Sequence, residues 1–196
     1  MPPQQPEQQI SEQEYLEGEL ISEVRHEFID GSVYEMAGAS ADHGRIAKNI
    51  FAAFLRHLQG WKSPCEPFQA DMKVKTGKKF LYPDVLVSCE QEESEYYRNA
   101  PLLIVEVVSQ ATRKKDNTIK RLSYQNIPSL EEYILIEQNF VDIEMCRRKN
   151  HWRPEHYYLG DTVRFAPIDL ILPVEDIYAR VMNDDMRVHR ECDASR

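Results

Sequence analysis

The chain has 196 residues, 42% of them hydrophobic, which is enough for one sizeable core, and a formal net charge of −9. No apolar run approaches the roughly 18 residues that a membrane-spanning helix needs, and the first residues lack the basic-then-apolar pattern of a secretory signal. A cytoplasmic protein without membrane contact is therefore expected, and the acidic balance argues at first sight against nucleic acid as a partner. Four cysteines (Cys65, Cys89, Cys146 and Cys192) stand far apart without a CxxC pair. That argues against a zinc ribbon and leads us to expect reduced, mostly structural thiols.

Residues 1–10, "MPPQQPEQQI", are rich in Pro and Gln and poor in core-forming side chains. They read as a mobile tail ahead of a single domain over 11–196. "SEQEYLEGELIS" (11–22) has the Glu-rich look of a surface helix, with Ser11 placed to cap it. In "HEFIDGSVYEM" (26–36), a D-G step between two alternating arms predicts a hairpin. From Asp42 to Gly60, Ile46, Ala47, Ile50, Phe51, Phe54, Leu55 and Leu58 recur at helical spacing, with Ser40 or Asp42 available as a cap.

Two strands are expected next, "FQADMKVKT" (68–76) and "DVLVSC" (84–89), followed by a polar loop. "LLIVEVV" (102–108) reads as a strand buried on both faces. "RKKDNTIKRLSYQN" (113–126) predicts a helix ending before Pro128, and "EYILIE" (132–137) and "VDIEMCRR" (141–148) a pair of strands. "HWRPEHYYL" and "DTVRF" are candidates to extend the sheet, and "PVEDIYARVM" (173–182) predicts a last helix with Pro173 at its start. This order describes an α/β (α+β) protein, a mixed sheet with helices against it.

One residue breaks the pattern. Glu106 sits among Ile104, Val105, Val107 and Val108, where an unpaired carboxylate costs several kcal/mol. It needs a cationic partner, a proton or a metal ion. Asp84, just after Pro83, opens the preceding strand. If the two strands are neighbours, two carboxylates meet at one sheet end and repel unless something positive sits between them. A hard divalent cation answers that need. Lys120 is a second source of charge, because Asp116, Lys120 and Tyr124 fall four residues apart on one helix stripe. Each residue alone also has an ordinary structural reading, as an ion pair or a turn cap.

"YPDVLVSC", "PLLIVEVVSQAT" and "KKDNTIKRLSYQNIPSLEEYILIE", taken in order, resemble the PD-(D/E)XK nuclease superfamily, and within it the Uma-two family of restriction-endonuclease-like proteins. "EFIDGSVYEMAGASADHGRIAKNI" and "LILPVEDIY" resemble that family's opening and closing segments, so the likeness spans nearly the whole chain. It implies a restriction-endonuclease-like core of αβββαβ type, with about four strands in a mixed sheet flanked by helices. It also implies Mg²⁺-dependent (or Mn²⁺-dependent) hydrolysis of DNA phosphodiesters.

By the same resemblance, Asp84 and Glu106 are the motif acids, and they would hold the metal together with the backbone carbonyl of Val107. Val108 stands where the motif has its lysine, and Lys120 on the next helix takes that role. Glu27 matches the acid near the first helix. His43 and Asp116 are secondary candidates, and Ser109 and Thr112 fall where the family has a Ser/Thr-rich turn. DNA is the implied partner, reached through basic clusters at residues 73–79, 113–121 and 147–149. A homodimer is expected, because cutting a duplex needs two sites. The competing reading is a nuclease fold that has lost turnover and serves as a DNA-binding or assembly module.

Overall fold

The N-terminal helix α1 (Glu12–Ile21) begins where the sequence places it: Ser11 accepts from Glu14 N–H, and Glu14 returns the bond to Ser11, a reciprocal capping box. The computed structural model describes residues 9–36, 38–90, 94–109 and 119–194. After α1 comes the D-G hairpin, β1 (His26–Ile29) and β2 (Ser32–Glu35). Asp30 and Gly31 at its tip have φ of 50° and 95°, the left-handed pair that a two-residue turn of this hand requires. Helix α2 (Ala41–Gly60) is capped by Ser40, which accepts from His43 N–H.

The rest of the chain is mostly β-structure. The strands are β3 (Glu66–Gln69), β4 (Lys73–Thr76), β5 (Lys79–Leu81), β6 (Val85–Ser88), β7 (Tyr97–Arg98), β8 (Pro101–Val108), β9 (Glu132–Glu137), β10 (Ile143–Arg147), β11 (Pro154–Tyr157), β12 (Thr162–Phe165) and β13 (Leu170–Pro173). Among the described residues three further helices follow, α3 (Arg121–Gln125), α4 (Val174–Ile177) and α5 (Asp184–Ala194).

A six-stranded sheet of order β11-β10-β9-β8-β6-β3 forms the centre, with β8 and β9 parallel and its other pairs antiparallel. Its two faces explain the unbroken apolar run of β8. Leu103, Val105 and Val107 turn toward α2, joining Ile46, Ile50 and Phe54. Ile104 and Val108 turn the other way, toward Tyr124 on α3. Each fully buried aliphatic or aromatic side chain here contributes about 1.5–3 kcal/mol. A second sheet, β2-β1-β5-β4-β7, lies beside the α3 face: Val74 and Leu81 join that cluster. Phe28 and Phe80 point to its far side, where Tyr15 of α1 covers them.

Four expectations from the sequence are corrected. Residues 68–76 are not one strand: β3 pairs with β6 and β4 with β5, in different sheets, and the chain turns at Ala70, whose φ is 20°. Alternation reports which face a residue takes and is blind to a bend between sheets. β12 does not extend the central sheet but pairs with β13 alone. The expected helix over 173–182 is one turn long, with Arg180 at φ 65° beyond it. The following helix, α5, was not anticipated, although Asn183 Oδ1 accepts from Met186 N–H at 3.0 Å as an N-cap does. Residues 113–118, the first part of the helix expected at 113–126, lie outside the described residues.

The fourth correction concerns the cysteines. Cys65 and Cys89 are joined in a disulfide, because each extends one of the antiparallel strands β3 and β6 by a residue, directly across from the other. Cys146 matches the expected structural thiol: it is buried, and burial pushes its pKa up to about 12, which leaves it inert. The bridge closes a 24-residue separation. Reduction with dithiothreitol is expected to lower the melting temperature by roughly 5–10 °C. A Cys65→Ser/Cys89→Ser variant should melt at the lower temperature and ignore the reductant; unchanged melting of reduced wild type would remove the bridge from the stability of the fold.

Candidate active site

Asp84 and Glu106 face the same side of the sheet. β6 and β8 are antiparallel with Val85 opposite Val105, so Asp84, one residue before Val85, stands across from Glu106, one residue after Val105. Residues directly opposite on antiparallel strands project from the same face. That face is the one carrying Leu86 and Ile104 toward α3.

Glu106 is 3% exposed, and Lys120, 6% exposed, supplies its cation. Lys120 Nζ lies 3.0 Å from Glu106 Oε1, 3.0 Å from Glu27 Oε1 and 3.2 Å from the carbonyl oxygen of Tyr82. Those three acceptors match the three N–H bonds of an ammonium group. Glu27 is 2% exposed and also accepts from Tyr82 N–H at 3.3 Å. It reaches the site because β1 pairs with β5 in the second sheet, and β5 runs directly into the Tyr82-Pro83-Asp84 stretch. Tyr124, one turn after Lys120, donates its hydroxyl to Glu106 Oε1 at 3.2 Å. Burial, then the Glu106 and Glu27 carboxylates, raise the Tyr124 pKa well above the ordinary tyrosine value, so this hydroxyl stays protonated and can donate.

Asp84 is more open, its side chain 17% exposed. Its Oδ2 accepts from Val107 N–H at 2.7 Å and lies 3.2 Å from His43 Nε2. Val107 thus meets Asp84 through its amide. His43 is at the site although it belongs to the first turn of α2, on the opposite face of the sheet, because the helix starts beside the sheet end that Asp84 occupies. The Asp84 backbone is pinned as well, its carbonyl accepting from Ala70 N–H at 3.0 Å. Ser109 directly follows β8 and is half-buried. Asp116 and Thr112 lie outside the described residues.

Val108, where the superfamily pattern has lysine, is 5% exposed in the apolar cluster beside Tyr124 and carries no charge into the site. The ammonium arrives instead from Lys120, just ahead of α3. Two contributors were missed in the sequence: the backbone of Tyr82, which grips both Glu27 and Lys120, and the hydroxyl of Tyr124, seen only as a position on a stripe. Tyr82 is itself anchored. Its hydroxyl donates to Glu19 at 2.9 Å and accepts from Lys73 Nζ at 3.1 Å. No local sequence signal marks a backbone carbonyl as a ligand for a distant lysine.

When all are ionised, the carboxylates of Asp84, Glu106 and Glu27 outnumber the Lys120 ammonium by two charges, the charge of one divalent cation. Among the described residues no group of three or more His, Cys, Asp or Glu side chains could hold a metal. The set present, two carboxylates at one sheet end, fits Mg²⁺, which takes one or two protein carboxylates and fills its shell with water and phosphate oxygens.

The basic clusters are largely engaged within the molecule. Lys75 pairs with Glu12 at 2.8 Å, Lys79 with Asp30 at 3.2 Å, and Arg147 with Glu132 at 2.9 Å. Arg121 pairs with Glu144, and Arg148 Nε donates to the carbonyl of Leu130 at 2.7 Å. Arg113, Lys114 and Lys115 lie outside the described residues.

The family model Uma2, described as "Putative restriction endonuclease", matches residues 5–175. The chain belongs to the Uma2 family. Relatives of the chain include two proteins of Synechocystis, the uncharacterized protein slr1290, 30% identical over 182 residues (90% of this chain and 95% of that one), and the uncharacterized protein sll1609, 34% identical over 146 residues (71% and 78%). The fold is shared with a crystal structure from Anabaena variabilis titled as a "putative nuclease belonging to DUF820", at TM-score 0.71 and 16% identity, covering 82% of this chain and 93% of that one. Uma2 membership and the nuclease-like fold agree with the restriction-endonuclease-like architecture expected from the sequence, built here on six central strands rather than about four. No helix among the described residues is long and apolar enough to cross a membrane.

Proposed function

We propose that this Uma2 protein is a Mg²⁺-dependent endonuclease that hydrolyses DNA phosphodiester bonds. The observation that carries the reading is the meeting of Asp84, Glu106, Glu27 and Lys120, from four separate parts of the chain, at one end of the central sheet. Asp84, Glu106 and the Val107 carbonyl are the groups that would hold the cation, which when bound supplies a Lewis acid for the phosphate and a water of lowered pKa. The protein's own part is positional. Val107 N–H and His43 hold the Asp84 carboxylate in place. Lys120 brings a positive charge to within 3.0 Å of Glu106, where it orients the attacking water or offsets charge as the phosphate becomes pentavalent. Glu27, also 3.0 Å from the ammonium, steadies Lys120 as well.

DNA is the substrate this reading assigns, a cytoplasmic location is part of the same proposal, and a homodimer would cut both strands. The test is cleavage of supercoiled plasmid in Mg²⁺ or Mn²⁺ by wild type, Asp84→Ala and Glu106→Ala. Cleavage by wild type alone supports the assignment, and linear product in place of nicked circles would point to two cooperating sites. Equal cleavage by all three proteins would place the activity elsewhere.

One observation favours a second reading. Lys120 already satisfies its donors on Glu106, Glu27 and Tyr82, as a structural ion cluster would. A nuclease fold that has lost turnover and acts as a binding or assembly module would keep such a cluster. Its mark is indifference to metal, with no rise in melting temperature on adding Mn²⁺.

A further inference from the structure

We infer that Tyr124 is a positioning residue of the site, its hydroxyl acting with Lys120 as a two-pronged clamp that sets the Glu106 carboxylate for the metal. The inference rests on the metal-site reading above and names a residue that it does not use. Lys120 and Tyr124 are four residues apart, one turn of the same helical segment, and both donate to one oxygen, Glu106 Oε1, at 3.0 and 3.2 Å. Two donors fixed on one helical turn restrict both the position and the plane of a carboxylate in a way that one flexible lysine does not. The clamp is rigid at its base. Tyr124 is fully buried, its ring 5.6 Å from that of Tyr133, in the cluster that includes Leu86, Ile104 and Val108 from the strands on which Asp84 and Glu106 stand. Partners that orient a metal-ligating side chain commonly change metal affinity 10–100-fold when removed.

A purely structural tyrosine would share the burial and the ring contact. What sets Tyr124 apart is where its hydroxyl ends: on the carboxylate that the metal-site reading needs, beside the lysine that the same reading needs. Tyr124→Phe removes that oxygen and keeps the ring.

The experiment is Mn²⁺ binding to the full chain by calorimetry, with wild type, Glu106→Gln, Tyr124→Phe and the double variant. Mn²⁺ affinity is expected to fall roughly tenfold in Tyr124→Phe. Adding Tyr124→Phe to Glu106→Gln should cost nothing more, because the tyrosine acts through Glu106. Affinity within twofold of wild type in Tyr124→Phe, while Glu106→Gln weakens binding, overturns the clamp and leaves the metal site standing. No Mn²⁺ binding by wild type overturns both. Should Tyr124→Phe not fold, wild type labelled with ¹³C at tyrosine Cζ answers the same question: one buried resonance among the ten tyrosines should shift as Mg²⁺ saturates the protein, and ten unmoved resonances sink the inference.

Discussion

Lys120→Met is expected to be the most damaging single substitution in this protein, abolishing cleavage and lowering stability together. Methionine keeps much of the aliphatic length and removes the charge. Glu106 and Glu27, 3% and 2% exposed, then face each other with their shared cation gone. Removing one partner of a buried ion pair costs about 3–5 kcal/mol, because the other charge is left uncompensated. For a chain of this size that lowers the melting temperature by something on the order of 10 °C. Tyr82 loses the partner of its carbonyl as well. Differential scanning calorimetry reads the stability loss, and plasmid cleavage should fall at least ~10²-fold, the usual loss when a charge-stabilising donor is removed. The two readings of the site part on one further result. Mn²⁺ should partly restore the melting temperature of Lys120→Met if the carboxylates form a metal site, because the ion replaces the lost charge. Melting that ignores the metal would assign the cluster to structure alone.

Asp84→Asn separates chemistry from stability at the other end of the site. Asparagine is the same size and keeps a carbonyl oxygen, so the bond from Val107 N–H at 2.7 Å can persist. Only the charge is lost, at a side chain 17% exposed. Stability should change by less than about 1 kcal/mol. The cleavage rate is expected to fall about 10²–10³-fold, since a ligand that places a Lewis acid is worth several kcal/mol in the transition state. Chemical denaturation and initial cleavage rates, measured on the same preparation, check both halves. A variant that cuts like wild type would show that Asp84 does not serve the metal, and the donor set would have to be sought without it.

Much of the site was legible because its acids violate the local pattern around them. Glu106 inside "IVEVV" carries a cost that only a partner offsets, and the Asp84 that follows Pro83 marks a strand start. The four-residue spacing of Lys120 and Tyr124 put both on one face of a helix, and the structure turns both toward Glu106. Glu27 was reachable only through the family resemblance, since a Glu on a hairpin arm is ordinary; its burial follows from the second sheet, which no local pattern announces. His43 could be read as a helix-start residue but not as a neighbour of Asp84, because the two lie 41 positions apart and meet only where α2 and β6 reach the same sheet end.

The sequence by itself determined the local elements: the capped helix α1, the D-G hairpin, the amphipathic α2 and the fully buried β8. These follow from capping chemistry, φ preferences and hydrophobic period, which act over a few residues. Tertiary structure alone decided that residues 68–76 divide between two sheets, that Cys65 and Cys89 face each other, and that one lysine is shared by carboxylates from two sheets. Each of these depends on which strand lies beside which, and pairing over long separations is set by the packing of the whole core, which no short window of sequence contains.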